Sequence, residues 1–333
     1  MTIKIGLIGS GGIAEHHVNG YLKVPDAKVV AVCDVVEENA QVRSKQVGGA
    51  QIFSDYREML KSADIDAVDI CLPHHLHKDA IVAAANAKKH ILCEKPLCLT
   101  VAEAEAVQQA VTENGVTLMC AHNQLTLPPV KLAKEMIAEG TFGQVYEIRT
   151  TDSFYHTFKL ESIGWRGHRS MIGGGELIDT GYHPTYLLLY LASAEPTEVT
   201  AMITNHRLHF MDGEDSAQVL VRFADNSVGN IVTSWAYEPT PNTEKFSIVT
   251  EKGYLYSHGS DLYYKVRGTD KEPVKIELPS VNTFDAETAD FITCLREHRR
   301  PVNTEVEGTN VLKVILGAYK SQEEKRTVVL KDM

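Results

Sequence analysis

Over its first 120 residues the chain alternates between short runs rich in Val and Ile and longer amphipathic stretches, the pattern of βα units wound on a parallel sheet. The short runs predict strands at 3–8, 28–33, 67–71, 90–93 and 116–120. They show little polar alternation, as strands covered on both faces need not. Helices are predicted between them at 12–23, 36–47, 56–61, 78–87 and 101–113, the last preceded by the capping box Thr100-x-x-Glu103.

Past residue 120 the rhythm changes. One more amphipathic helix is predicted at 130–138, followed by alternating runs such as Val145-Tyr146-Glu147-Ile148-Arg149-Thr150, which a sheet with one solvated or partner-facing side produces. Further strands are predicted at 198–208, 217–223, 228–235, 245–250 and 262–266, with turn residues Ala224-Asp225-Asn226-Ser227 between two of them. Helices at 285–297 and 305–320 and a strand at 328–330 come last. No repeat, low-complexity tract or flexible linker interrupts the chain, so two domains, 1–122 and 123–333, are expected to follow one another directly.

Composition narrows the classes. The 333 residues are about twice a usual domain, and 44% apolar with 23% charged residues marks a globular chain. Lys plus Arg number 33 against 44 Asp plus Glu, a net charge of −11, so phosphate backbones and anionic lipid are repelled and neither nucleic acid nor membrane is an expected partner. The most apolar stretch after the amino terminus, 187–192, falls far short of the roughly 20 residues of a bilayer span. Residues 1–5 run into a strand pattern without the features of a signal peptide, so a cytoplasmic location is expected. Cys33, Cys71, Cys93, Cys98, Cys120 and Cys294 show no CxxC spacing and are expected to be buried free thiols of a reducing compartment.

Against this background Gly9-Ser10-Gly11-Gly12-Ile13-Ala14 fits G-x-G-x-x-A at a strand-to-helix turn. Gly9 permits the turn, Gly11 leaves room for a pyrophosphate, and Ala14 allows close helix packing, while the helix amino terminus offers N–H groups to phosphate. Gly12 and Ile13 fall in the same turn. The next predicted strand ends at Cys33-Asp34, where a carboxylate can accept bonds from an adenosine ribose. Asp34 would repel a 2′-phosphate, and Val35-Val36 supply no compensating cation, so NAD is preferred over NADP. Its other reading is an N-cap for the following helix.

The strand ending at Cys93 runs into Glu94-Lys95-Pro96 at the carboxyl edge of the predicted sheet, where doubly wound folds bind ligands. Glycine-rich turn, Asp34 and Glu-Lys-Pro in this order resemble the glucose–fructose oxidoreductase/inositol dehydrogenase/rhizopine-catabolism (Gfo/Idh/MocA) family of NAD(P)-dependent oxidoreductases. Gly173-Gly174-Gly175-Glu176-Leu177-Ile178-Asp179-Thr180-Gly181-Tyr182-His183 is similar to that family's G-G-G-x-x-x-D-x-G-x-H segment. Trp165-Arg166 resembles its Trp-Arg pair, and Pro73-His74-His75-Leu76-His77 its Pro-Asn-x-x-His loop. The likeness covers essentially the whole chain.

The resemblance implies an α/β fold: a Rossmann domain with a doubly wound parallel sheet, then an α/β domain with an open, mostly antiparallel sheet. It implies hydride transfer between nicotinamide and a secondary alcohol of a sugar, sugar acid or cyclitol bound between the domains. Lys95, Asp179 and His183 match the catalytic trio by position. A neutral His can take the hydroxyl proton near pH 7; His183 is thus the expected base, with Lys95 a donor to the carbinol oxygen and Asp179, four residues before His183 and so on one helix face, orienting substrate or base. Leu72, Pro73, His77, Glu94, Trp165 and Arg166 are expected at the cofactor, Glu94 and Pro96 shaping the backbone where the family often has a cis Lys-Pro bond. His122, Asn123, Tyr155 and Arg169 are expected at the substrate, and His156 is a further candidate.

Histidines 74, 75, 77 and 90 with Cys93 invite a zinc reading, but their spacing matches no zinc pattern, and no metal is expected. Arg166 and Arg169 could fork a substrate carboxylate, unless Arg166 serves the cofactor or a salt bridge. The substrate is not legible by analogy, because His122-Asn123-Gln124 replaces an Arg common in relatives, His74 an Asn and Thr185 an Asp. Two other functions stay open: redox-neutral elimination, epimerisation or glycoside cleavage with NAD recycled in each turnover, and a non-catalytic NAD(H)-binding regulator. The second-domain sheet needs its outer face covered, so a homodimer or homotetramer is expected.

Overall fold

The computed structural model describes residues 2–269 and 271–333. It divides into two compact units, one of residues up to Asn123 with Asn282–Thr309, the other of Gln124–Val281 with Asn310–Met333.

In the first unit β1 (Ile3–Ile8), α1 (Gly12–Tyr21), β2 (Ala27–Cys33), α2 (Glu37–Gln46), β3 (Gln51–Phe53), α3 (Tyr56–Ser62), β4 (Ala67–Ile70), α4 (His77–Asn86), β5 (His90–Cys93), α5 (Val101–Asn114) and β6 (Leu118–Cys120) follow in order. The sheet reads β3-β2-β1-β4-β5-β6, every neighbouring pair parallel. Strand order reverses between β1 and β4, which places a ligand crevice beyond their carboxyl ends. Ile5, Leu7, Val32, Ala67 and Leu92 are fully buried, as a sheet covered on both faces requires. The capping box at α5 forms, with the Thr100 hydroxyl on the Glu103 amide and the Glu103 carboxylate on the Thr100 amide.

The second unit holds α6 (Pro128–Ala138), β7 (Val145–Ser153), α7 (Arg169–Ile172), α8 (Glu176–Asp179), α9 (Tyr182–Leu191), β8 (Pro196–Thr204), β9 (Ser216–Phe223), β10 (Val228–Ser234), β11 (Phe246–Thr250), β12 (Gly253–His258), β13 (Asp261–Val266) and β14 (Val274–Ile276). α10 (Thr283–Glu297), α11 (Glu305–Glu324) and β15 (Val328–Val329) close the chain. The sheet order is β14-β13-β12-β11-β7-β10-β9-β8-β15. Among the described residues of this sheet only β7 and β10 pair in parallel; the other neighbours are antiparallel. Packing of α9 on β7 and β10 covers one face, and the buried residues of β9 alternate with exposed ones.

Two departures from the sequence pattern have physical causes. Residues 282–309 belong to the first unit rather than to a domain beginning at 123, because α10 packs on α1 and puts Phe291, Ile292 and Leu295 into the core of Ile5, Val18 and Val29. Gly20 makes the approach possible: a Cβ there would stand 2.3 Å from Thr288 Oγ1 and 3.1 Å from Phe284 O. Strands β3, β12 and β14 were not legible, two being three-residue segments. β12 starts on Gly253, where a Cβ would meet Lys265 O at 2.0 Å, so the residue that argues against a strand is the one its pairing needs.

Candidate active site

The turn between β1 and α1 is shaped for a phosphate. Gly9 has φ +90°, and a Cβ on it would lie 2.3 Å from Cys71 O, so a side chain is excluded. Nothing lies within 4 Å of the Cβ positions of Gly11 or Gly12. Gly11 caps α1 without a side-chain bond, leaving first-turn N–H groups to an outside acceptor. Ala14 is buried and Ile13 is exposed at the same helix start. Asp34 Oδ2 accepts the Ser10 amide at 2.8 Å and Oδ1 the Val36 amide at 2.8 Å. The N-cap of α2 is Val36, so Asp34 ties the turn to the start of α2 instead of capping it. An open cradle, free helix-end donors and an adjacent carboxylate suit a dinucleotide.

Beyond β5, Lys95 is half-buried and its bond to Pro96 is cis. Glu94, nearly buried, accepts the Lys95 amide on Oε2 at 3.0 Å. His77, fully buried at the head of α4, sets Nδ1 2.6 Å from Pro96 O and Nε2 2.8 Å from Leu72 O. It therefore joins the Leu72-Pro73 segment to Lys95-Pro96, and burial lowers its pKa. His74 and His122 are also buried, and Asn123 donates to Thr283 Oγ1 at 3.0 Å. Of the residues in the zinc reading, both His77 nitrogens face carbonyls and the Cys93 thiol bonds Glu94 O. All six cysteines are buried and free, and burial pushes the Cys33 and Cys98 thiols up to about 12.

In the second unit Asp179 is 4% exposed and receives Arg166 Nε at 2.7 Å. The Arg166 guanidinium lies 4.3 Å from the Trp165 ring centroid. His183 Nδ1 is 2.8 Å from Tyr186 Oη, which also accepts the Gln124 amide at 3.1 Å. The single helix face expected for Asp179 and His183 is split: Asp179 ends α8, and α9 begins at Tyr182. At the break the Gly181 amide donates to Glu176 O at 2.9 Å, five residues back, and glycine fits there because a Cβ would lie 2.7 Å from Leu177 Cα and O. The arginine fork is not formed either, since Arg166 pairs with Asp179 while Arg169 lies 5.9 Å from the Tyr319 ring. Tyr155 lies under the Arg207 guanidinium at 4.0 Å, and His156 stacks on Phe158 with its pKa lowered by burial.

Residues 3–122 match the model of the oxidoreductase family with an NAD-binding Rossmann fold, and residues 130–256 match the GFO/IDH/MocA carboxy-terminal domain. Levoglucosan dehydrogenase of Pseudarthrobacter phenanthrenivorans is 30% identical over 262 residues, 69% of this chain and 67% of that protein. The chain belongs to the GFO/IDH/MocA oxidoreductase family. It is an oxidoreductase and its cofactor is NAD. Myo-inositol 2-dehydrogenase of Thermotoga maritima is 25% identical over 345 residues, 99% of each chain. A solved levoglucosan dehydrogenase with NADH and levoglucosan has the same fold, with TM-score 0.90 and 24% identity over 99% of this chain and 100% of that one. Among the described residues no helix is long and apolar enough to cross a membrane.

Three groups at these sites were not singled out from the sequence. Tyr186 stands three residues after His183, a helical spacing that could have flagged it. Asp152 and Lys245 meet Gln124 through the fold alone: Lys245 Nζ is 3.0 Å from Gln124 Oε1 and 3.3 Å from Asp152 Oδ2. His17 lies within a helix whose glycine turn drew the attention, and no local pattern marks its partners.

Proposed function

We propose that this chain oxidises, or forms by reduction, a secondary alcohol of a sugar, sugar acid or cyclitol, with Lys95, Asp179 and His183 acting on the carbinol. The observation that carries this is the His183–Tyr186 pair, Nδ1 2.8 Å from Oη: in the tautomer that donates Nδ1–H to Tyr186, the lone pair sits on Nε2, the atom that takes the hydroxyl proton. Bound NAD supplies the hydride acceptor. Lys95 donates to the carbinol oxygen as its negative charge develops. Asp179, held by Arg166, orients the alcohol. Gly9, Gly11, Gly12, Ile13 and Asp34 hold the adenosine and pyrophosphate half of the cofactor, and Leu72, Pro73, His77 and Glu94 shape its nicotinamide side. His122, Asn123, Tyr155 and Arg169 remain the substrate-side candidates. The substrate class rests on relatives named for an anhydrosugar and a cyclitol.

The test is mass spectrometry of gently purified protein for dinucleotide, then NADH absorbance with free NAD and a panel of sugars, cyclitols and sugar acids. Turnover by one class supports the proposal. NAD that stays bound while products change without NADH marks a redox-neutral reaction, and NAD binding without any turnover marks a regulator.

We further propose a cytoplasmic homodimer or homotetramer. The six buried free cysteines accord with a reducing compartment. Register places Met202 opposite Gln218 and Leu220 opposite Asn230 on the solvent side of the second sheet, with Met202 78% and Leu220 47% exposed and Tyr256 stacked on Tyr263 at 5.0 Å. A sheet face that exposes these apolar and aromatic side chains fits a second copy. Light scattering that gives a stable monomer at micromolar concentration would refute it.

A further inference from the structure

We infer that His17 is a positioning residue: a cation clamped between two carboxylates that fixes Glu94 and, through Glu94, the backbone carrying Lys95. His17 lies on α1 and is fully buried. Its Nδ1 is 2.9 Å from Asp69 Oδ2 on β4, and its Nε2 is 3.0 Å from Glu94 Oε1 after β5. Asp69 is fully buried and Glu94 nearly so. A neutral imidazole has one N–H and one lone pair, so one of its two contacts would set a lone pair against a carboxylate oxygen. The imidazolium donates to both.

Burial by itself lowers the His17 pKa, but Asp69 and Cys71 beside it together hold it well above the ordinary value. Glu287 on α10 also faces the group, and its carboxyl is pushed well up, chiefly by burial. Cys71 and Tyr21, the other titratable groups here, are pushed up by burial and stay neutral.

The two Glu94 oxygens divide the work. Oε1 meets the His17 cation and Oε2 accepts the Lys95 amide at 3.0 Å. A carboxylate with one oxygen anchored by a buried ion pair cannot swing, so the amide it holds is fixed in place. His17 thus joins the phosphate-binding helix, the end of β4 and the Glu-Lys-Pro segment at one point. The importance given to Lys95 rests on the proposed function, whereas the tie itself does not.

Amide hydrogen exchange of the full-length protein tests the tie without any substrate. His17→Gln is expected to speed exchange in the peptide containing Lys95 by tenfold or more while the β1 peptide is unchanged. Phe284→Leu is the packing control: its ring lies 5.7 Å from His17 without joining the polar link, and it should leave the Lys95 peptide as in the parent. Glu94→Gln should match His17→Gln, because one amide oxygen cannot serve both Nε2–H and the Lys95 amide, and it carries the comparison if His17→Gln does not fold. With any carbohydrate that turns over, His17→Gln should lower kcat tenfold with KM for NAD within twofold.

Unchanged Lys95 exchange in both variants would overturn the inference. So would a stoichiometric divalent metal in the purified protein, since His17, Asp69 and Cys71 place ligand atoms within 4.8 Å of one another. A panel without turnover would sink the dehydrogenase proposal but leave the exchange result standing.

Discussion

Asp34→Ala separates the turn bonds of Asp34 from the ribose contact proposed for it. Its carboxylate accepts two amides at 2.8 Å each, that of Ser10 and that of Val36. Bonds to a charged acceptor contribute about 1.5–3 kcal/mol each when solvent cannot replace them. The Val36 amide is exposed and the Ser10 amide partly buried, so water replaces the first bond and the loss of stability should be about 2 kcal/mol, from Ser10. The ribose of NAD would lose its own charged acceptor, again about 1.5–3 kcal/mol, weakening binding by about tenfold to a hundredfold. NADP should lose less, because the same change removes repulsion from its 2′-phosphate. Fluorescence titration of NADH and NADPH, with urea denaturation of the same samples, reads both effects. A lowered denaturation midpoint with NADH affinity within twofold of the parent would refute the cofactor role and leave Asp34 a turn residue only.

Three other outcomes follow from the same geometry. Tyr186→Phe removes the oxygen between His183 and the Gln124 amide and should lower kcat roughly fivefold, for a bond of about 1 kcal/mol, with NAD binding unchanged in a titration. Glu176, Glu214 and Glu287 are pushed up chiefly by burial, so the native state keeps protons the unfolded chain has lost and stability falls as pH rises above the unfolded value toward the folded one; thermal melts should fall as pH is raised above the ordinary glutamate range. Glu287→Gln should flatten that slope, since neither Glu287 oxygen has a partner among the described residues. Gly20→Ala should cost about 1–3 kcal/mol in denaturant titration through its clash with Thr288, and Thr288→Ala in the same chain should recover part of it; full stability of Gly20→Ala would refute the close crossing of α10 on α1.

The sequence by itself determined the period-two and period-3.6 patterns, and with them β1, β5, the α5 cap and the succession of βα units. It also singled out the glycine turn and Asp34 by their local pattern, and Lys95, Asp179 and His183 by the resemblance of the short segments that hold them to the family's motifs. Strands of three residues carry too few positions to show a period, which hid β3 and β14. What lay beyond reach was every decision made between distant segments. The return of 282–309 to the first unit depends on a glycine on α1 meeting a threonine on α10. The pairing of Arg166 with Asp179 ended the arginine fork. His17 became an ion-pair centre because α1, β4 and β5 bring two carboxylates from 52 and 77 residues away to its two nitrogens. Charge state and hydrogen-bond partner are set by what lies within about 3 Å, and only the folded chain fixes which residues those are.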